Sequence, residues 1–374
     1  MRSERERASC YPGAAMITEL HATGYGCLKD VRVKLGGLHA LIGPNDSGKS
    51  TILRALRTLG QLAAGTFEHG ATWEPFDPGL DGDEPGTFVA LRAQTLYGTY
   101  GFERHVHGGM GSHGMVTSEE RLEDVVAPRL VTDPTSLLES KHPAVGSFAV
   151  WSALSGIHFL GLSEEGLRSP SGFLPRGRTQ LSARGEGLPG LYFALRNDHE
   201  EAFERILHDV RTLFPTVKTV RAQPSSSSEL EIEVELTDRT RVRAAHISTG
   251  LLYYLAFAAL PEAFGPVSTV LLEEPENGLH PARIKQVMAV LRSFTEKHGA
   301  QVILTTHSPL VVNELEPKEV SVVTRPSLEA GTQVRAIEET ANFAKRSEVY
   351  SLGELWLSYA DGDVEGALFD PKVR

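Results

Sequence analysis

The sequence predicts an α/β fold on a mixed central sheet, with antiparallel N-terminal strands, helices on both faces and a helical or irregular inserted lobe. Three observations carry this expectation. The final third alternates patterns: helix Thr249–Ala263, strand Thr269–Glu273, helix Pro281–His298, strand Gln301–Thr305, the signature of a parallel sheet with covering helices. An apolar run, Leu38–Ile42, enters a glycine-rich loop that opens a helix from Lys49 to about Leu62. Short strand patterns at Met16–Ala22 and Val31–Lys34 precede that run.

In chain order, Met1–Ala15 is charged, lacks the apolar stretch of a signal peptide and reads as a disordered leader. The helix after the loop places Ile52, Leu53, Leu56 and Leu59 on one face. The stretch from Ala64 to Gly187 is less regular. It holds two antiparallel strand patterns, Thr87–Leu96 and Tyr100–Val106, and a Gly/His-rich turn at His105–His113. An amphipathic helix spans His199 to Phe214 and stops at Pro215. Strands follow at Val217–Arg221, Glu229–Leu236 and Arg241–Ala244, with Ser225–Ser228 as a hairpin loop. Edge strands Val320–Thr324 and Thr332–Ile337 complete the sheet.

Composition narrows the classes. With 41% hydrophobic and 23% charged residues in 374, the chain can bury a core of ordinary proportion. Net charge is 37 − 48 = −11, which argues against a generally basic nucleic-acid coat. Cys10 and Cys27 cannot build a disulfide framework, and a reducing cytoplasm is the expected location. No apolar run approaches the ~20 residues of a membrane-spanning helix, so no membrane is expected among the partners.

The loop Gly43-Pro44-Asn45-Asp46-Ser47-Gly48-Lys49-Ser50 matches G-x-x-x-x-G-K-[ST] between a strand and a helix, the context that motif requires. Its candidate nucleotide-binding residues are Gly43, Asn45, Asp46, Ser47, Gly48, Lys49, Ser50 and Thr51. Glycines let backbone N–H groups converge on a phosphate at the helix N-terminus. Lys49 would bridge β- and γ-phosphates, and the Ser50 hydroxyl would coordinate Mg²⁺. The plain alternative is a glycine-rich turn with a surface lysine.

Thr269–Glu273 is an apolar strand ending in two acids, Glu273 and Glu274. Adjacent carboxylates at the end of a buried strand are costly unless a cation meets them. In a phosphate site Glu273 would support the metal and Glu274 would orient and deprotonate the attacking water. The alternative is a solvated strand end. One β-α-β step later, His307 stands at the tip of the next strand, where it can sense a γ-phosphate.

In order and residue type these segments resemble the ABC-type ATPases, specifically the SMC-like, RecF-like and OLD-like AAA-family ATPases of bacteria. The matching stretches are Ile17–Lys34, Leu41–Thr51, Ile247–Gly250, Leu271–Pro281 and Thr306–Pro309. The resemblance implies a P-loop NTPase of ABC type occupying residues 16–374. Its nucleotide-binding lobe would be 16–110 and 215–345, its inserted lobe 111–214, and its C-terminal tail 346–374. It further implies ATP and Mg²⁺ as ligands, with Glu274 and His307 catalytic and Ser50 and Glu273 on the metal. Ser248, Thr249 and Gly250 look like a degenerate signature motif that binds the γ-phosphate held by the opposite subunit, which makes an ATP-promoted homodimer the expected assembly. Glu273 stands where many ABC proteins carry Asp, and the signature lacks its second glycine. Gln180 is one candidate among several for the glutamine loop.

No coiled coil separates the two halves. The stretch after His307 is shorter than the Toprim domain that OLD nucleases append, and Asp361-Gly362-Asp363 only imitates that domain's D-x-D. The expected role is therefore a cytoplasmic ATPase switch controlling a separate effector protein, in a phage-defence or toxin–antitoxin setting. The alternative is a RecF-like repair ATPase, with Arg168, Arg176, Arg178 and Arg184 lining a DNA surface. A transporter's nucleotide-binding subunit is the third reading.

Overall fold

The computed structural model describes residues 16–64, 88–95, 98–107, 115–124, 128–131, 150, 153–173, 181–264, 269–340 and 343–360. The expected leader, Arg176, Arg178, Gln180 and the acidic triplet at 361–363 lie outside them. The chain divides into two compact units. The first comprises Met1–His158, Val267–Leu271 and Gly299–Arg374; the second comprises Phe159–Pro266 and Leu272–His298.

At the centre of the first unit, Leu38–Ile42 is buried at all five residues. It runs parallel to Gln301–Thr306 on one side and Val320–Thr324 on the other. A strand sandwiched between parallel neighbours and covered on both faces reads as a near-continuous apolar run, as this one does apart from the buried His39. The sheet order is Gln333–Ala336, Val320–Thr324, Leu38–Ile42, Gln301–Thr306, Thr269–Glu273, Ile157–Leu160. Gln333–Ala336 pairs antiparallel, so the sheet is mixed. The helix Lys49–Ala63 buries Ile52, Leu53, Leu56 and Leu59, the face its periodicity marks.

A second, antiparallel sheet places Ile17–Tyr25 between Leu28–Lys34 and Phe88–Thr95, followed by Gly98–His107, Met115–Asp124 and Pro128–Val131. The last two strands fall in a stretch whose sequence reads as irregular. The buried Gln301 side chain ties the two sheets together. Its Oε1 accepts from the Ile17 amide at 3.1 Å and the Thr269 hydroxyl at 3.1 Å. Its Nε2 donates to the carbonyls of Ile17 and Gly36 at 2.7 and 2.9 Å. An amide buried this deeply is tolerable because its donors and acceptor are all engaged.

The second unit packs helices against a four-stranded antiparallel sheet formed by Ser171–Gly172, Val217–Pro224, Glu229–Leu236 and Arg241–Arg243. The helix Leu188–Asp198, which the sequence reading does not anticipate, covers the apolar face that buries Val220, Ile232 and Val234. Two further differences have local causes. The helix expected over 249–263 is two, Thr249–Ala258 and Leu260–Phe264, because Pro261 supplies no N–H to continue the first. The helix expected from His199 starts at Glu200, with His199 at the N-cap position and no side-chain capping bond.

Candidate functional site

The phosphate-loop motif leaves the carboxyl end of the central strand of the first unit, where open α/β sheets bind ligands. Gly43 is packed so closely that an added Cβ would lie 2.1 Å from the Val323 carbonyl oxygen. At Gly48 φ is +105°, and a Cβ there would meet Thr332 Oγ1 at 2.3 Å and Cys27 Sγ at 2.9 Å. Asp46 is also left-handed, with φ +61°. Such a run of backbone curls N–H groups inward. Lys49 is buried, and its ammonium donates to the Gly43 and Pro44 carbonyls at 2.9 and 2.7 Å, so the cation sits at the mouth of the loop. The Ser47 hydroxyl is buried without a protein partner. The helix that follows has no side-chain cap and no acid in its first turn, so its positive end is not neutralised. Asn45 and Asp46 are exposed; Ser50 and Thr51 are half-buried.

Two residues outside the motif shape this loop. The Thr332 hydroxyl donates to the Ser47 carbonyl at 2.8 Å, and the Cys27 thiol lies 3.5 Å from Thr51 Oγ1. Thr332 also donates its amide to the Cys27 carbonyl at 2.9 Å. The only sequence hint is Gly331, whose φ of +68° turns the chain into Thr332. His307 belongs to the same unit. Thr306 pairs with Ile42 across the parallel ladder, so His307 and Gly43 leave neighbouring strand ends. Beyond it the Ser308 amide donates to Thr306 Oγ1 at 2.9 Å, and Ser308 starts the short helix Pro309–Val312.

Glu273 and Glu274 lie in the second unit. Glu274 holds φ at +45°, a region an L residue with a long side chain rarely enters. Such strain collects at functional sites. Asn277 fixes the carboxylate, its Nδ2 donating to Glu274 Oε2 at 2.7 Å, while its amide donates to the Glu274 carbonyl. The turn then passes Gly278, where φ is +78° and a Cβ would come within 2.8 Å of the Tyr253 ring. His280 Nδ1 accepts from the Ala282 amide at 3.2 Å and so caps the helix Pro281–His298.

This acid-bearing turn rests on the segment read as the signature. Gly250 faces the Gly278 carbonyl, 3.7 Å from its would-be Cβ, and Tyr253 Oη donates to Leu162 O at 3.0 Å. Ser248 is exposed and occupies the N-cap of Thr249–Ala258 without bonding its own helix through the side chain. The first turn carries no acid. Thr249, by contrast, is engaged: Arg168 Nη2 approaches its hydroxyl at 3.4 Å. Glu164 accepts from Arg168 Nε at 2.9 Å. Hydrogen bonds from Arg168 and then Thr249 hold the Glu164 carboxyl below its usual range. The Arg168 guanidinium also donates to the Ala244 carbonyl. Arg168 is thus turned inward, and Arg184 pairs with Glu165 at 3.3 Å, which leaves the supposed arginine surface without its first member.

Among the described residues no cluster of three or more His, Cys, Asp and Glu offers a metal cage. The Ser50 hydroxyl, beside the phosphate loop, is an oxygen donor of the kind that Mg²⁺ takes. Among the described residues no helix is long and apolar enough to cross a membrane.

Comparison with known proteins agrees with the fold. The chain is 18% identical to the structure of the SmcHead bound to the C-winged helix domain of ScpA, with a TM-score of 0.56 over 86% of this chain and 97% of that one. It shares the fold of that ABC-type P-loop head. It is 25% identical over 338 residues to the OLD nuclease of Thermus scotoductus, a match covering 80% of this chain and 61% of that protein. The chain therefore spans about three fifths of that relative's length. An AAA ATPase domain model matches residues 16–76, which hold the phosphate loop. A second model matches residues 116–313, just over half of the chain, which hold the signature-like turn, both acids and His307. By that match the chain belongs to the ATPase family described as "AAA domain, putative AbiEii toxin, Type IV TA system".

Proposed function

We propose that this protein binds ATP with Mg²⁺ and hydrolyses it at a site completed by a second copy of the chain, and that the cycle switches a separate effector. The observation that carries the reading is the loop at residues 43–50: two glycines that admit no Cβ, a buried lysine ammonium at the mouth, and an orphaned Ser47 hydroxyl. A buried hydroxyl left without a partner is costly, and a phosphate oxygen seated in the loop relieves it.

Lys49 would hold the β- and γ-phosphates, with the backbone from Asp46 to Thr51 supplying N–H donors. Mg²⁺, held by Ser50 and Glu273, would neutralise the charge that accumulates on the phosphate oxygens. Glu274 takes the proton of the attacking water at its carboxylate, which Asn277 holds in one orientation. His307 donates a hydrogen bond to the γ-phosphate. Ser248 and Gly250, at an uncapped helix end, serve the nucleotide of the partner chain. A role in phage defence fits a family whose description names a toxin of a toxin–antitoxin system, and a relative that is an OLD nuclease.

The test is a pair of variants. Lys49→Ala should lose ATP binding in a fluorescent-nucleotide titration. Glu274→Gln should bind ATP as the parent does and turn over ~10²–10⁴-fold more slowly. Retained affinity in the first, or unchanged turnover in the second, overturns the assignment.

A further inference from the structure

We infer that Glu164, Arg168 and Thr249 form a clamp that presets the first turn of Thr249–Ala258, with Arg168 as its positioning residue, so that Ser248 alone presents a hydroxyl to the partner's γ-phosphate. This rests on the reading of residues 248–250 as the segment that completes the partner's site. It changes the role of Thr249 within that segment from ligand to anchor.

The argument begins with an unfavourable placement. A guanidinium beside a helix N-terminus opposes the helix dipole, so a purely structural role would favour an acid there. Arg168 is nonetheless held at that end by three acceptors: Glu164 Oε1 at 2.9 Å, the Ala244 carbonyl just upstream of the turn, and Thr249 Oγ1 at 3.4 Å. Its side chain is only 20% exposed. The short helix that carries it, Glu164–Arg168, is fixed in turn. Ser163 Oγ accepts from the Gly166 amide at 3.1 Å, and a Cβ on Gly166 would lie 2.2 Å from the Arg184 carbonyl oxygen.

Thr249 Oγ1 therefore accepts from Arg168, which occupies the lone pair facing that guanidinium. Ser248, one residue earlier, is exposed and makes no capping bond. The stretch that carries Arg168 also runs beside the acid-bearing turn: a Cβ added at Gly161 would lie 3.7 Å from Glu273 Oε2, and Leu162 O accepts from Tyr253 Oη. One stretch, residues 161–168, thus passes beside Glu273 and also holds the turn offered to the partner.

The experiment uses the full-length Glu274→Gln protein as parent, with Arg168→Gln, Thr249→Val, Thr249→Ser and the Arg168→Gln/Thr249→Val double variant. Fluorescent-ATP titration, light scattering with ATP and Mg²⁺, and amide hydrogen exchange at residues 249–252 without nucleotide are measured on each. The clamp predicts unchanged ATP affinity of the monomer, titrated at protein concentrations too low for the dimer, and an ATP-driven dimer weakened roughly ten- to a hundred-fold in Arg168→Gln and Thr249→Val alike, the scale of losing a charged hydrogen bond. It predicts no further loss in the double variant, restoration in Thr249→Ser, and faster exchange in both single variants even as nucleotide-free monomers. A silent Arg168→Gln beside a disabled Thr249→Val means that Thr249 touches the phosphate itself, which overturns the proposal. Unchanged exchange at 249–252 overturns it too, whatever the dimer does. A parent that never dimerises with ATP, while exchange still quickens in the variants, overturns the function proposed above and leaves the clamp standing as a feature of the fold.

Discussion

At Gly48 two constraints fall on one residue. The backbone sits at φ +105°, and the space a side chain needs is taken by Thr332 Oγ1 and Cys27 Sγ. Left-handed backbone alone costs an L residue about 1–2 kcal/mol. The steric conflict adds to that, because Thr332 is anchored to the Ser47 carbonyl and cannot move without releasing the loop. Gly48→Ala should therefore lower stability by about 1–2 kcal/mol or more in urea unfolding and weaken ATP binding at least ten-fold. Trimming Thr332 to Ala should recover only part of the loss, since Cys27 Sγ still crowds the added Cβ and φ is unchanged. A Gly48→Ala protein with parental ATP affinity would show that the loop does not hold phosphate in this conformation. The motif glycine was plain in the sequence; its two neighbours were not, because Cys27 and Thr332 are brought to Gly48 only by the fold.

At the scale of elements, legibility followed locality. Leu38–Ile42, Thr269–Glu273 and Pro281–His298 have the boundaries the sequence predicts, because each carries a largely apolar run or a helical stripe bounded by turn residues. The sequence hides the helix Leu188–Asp198 because Gly187-Leu188-Pro189-Gly190 looks like a turn; a proline in the first helical turn is a start signal, not a stop. Met115–Asp124 was missed because TSEERLED reads as polar loop, and only pairing along Gly98–His107 makes it a strand. His39 shows a further consequence of a doubly buried strand. It lies inside Leu38–Ile42 with its Nε2 3.0 Å from Ser321 Oγ, and burial lowers its pKa from 6.5 to about 4, despite the opposing effect of Glu319. Between those values the unfolded chain takes up a proton that the folded chain refuses, so stability is full above pH 6.5 and falls as pH drops towards 4. At about 1.4 kcal/mol per pH unit, the limit is about 3 kcal/mol. Urea midpoints should drop more steeply between pH 7 and about pH 5 in the parent than in His39→Gln, which titrates nothing at that position. Parallel pH profiles would mean that His39 is protonated in the folded protein.

For the whole molecule the open question is how a chain with these two sets of residues completes a site. Lys49, Ser50 and His307 belong to one compact unit and Glu273, Glu274 and Ser248 to the other, and Ser248 is exposed at its helix end and makes no side-chain capping bond. Excluding water around a γ-phosphate strengthens every donor aimed at it, and a second chain does this while adding the donors of its own turn. An isologous two-fold pair completes both sites at once, since each chain offers both surfaces. Glu274→Gln should accordingly become a dimer in light scattering when ATP and Mg²⁺ are added and return to monomer when ATP is removed. Ser248→Arg in that background places a bulky side chain where the partner's phosphate must approach. It should abolish the dimer, and in the Glu274 parent the ATPase activity, while the monomer binds ATP as before. A dimer that survives Ser248→Arg would move the contact to another surface of the chain. A strict monomer at micromolar Glu274→Gln with saturating ATP would leave a different protein, and not a second copy, to complete the site.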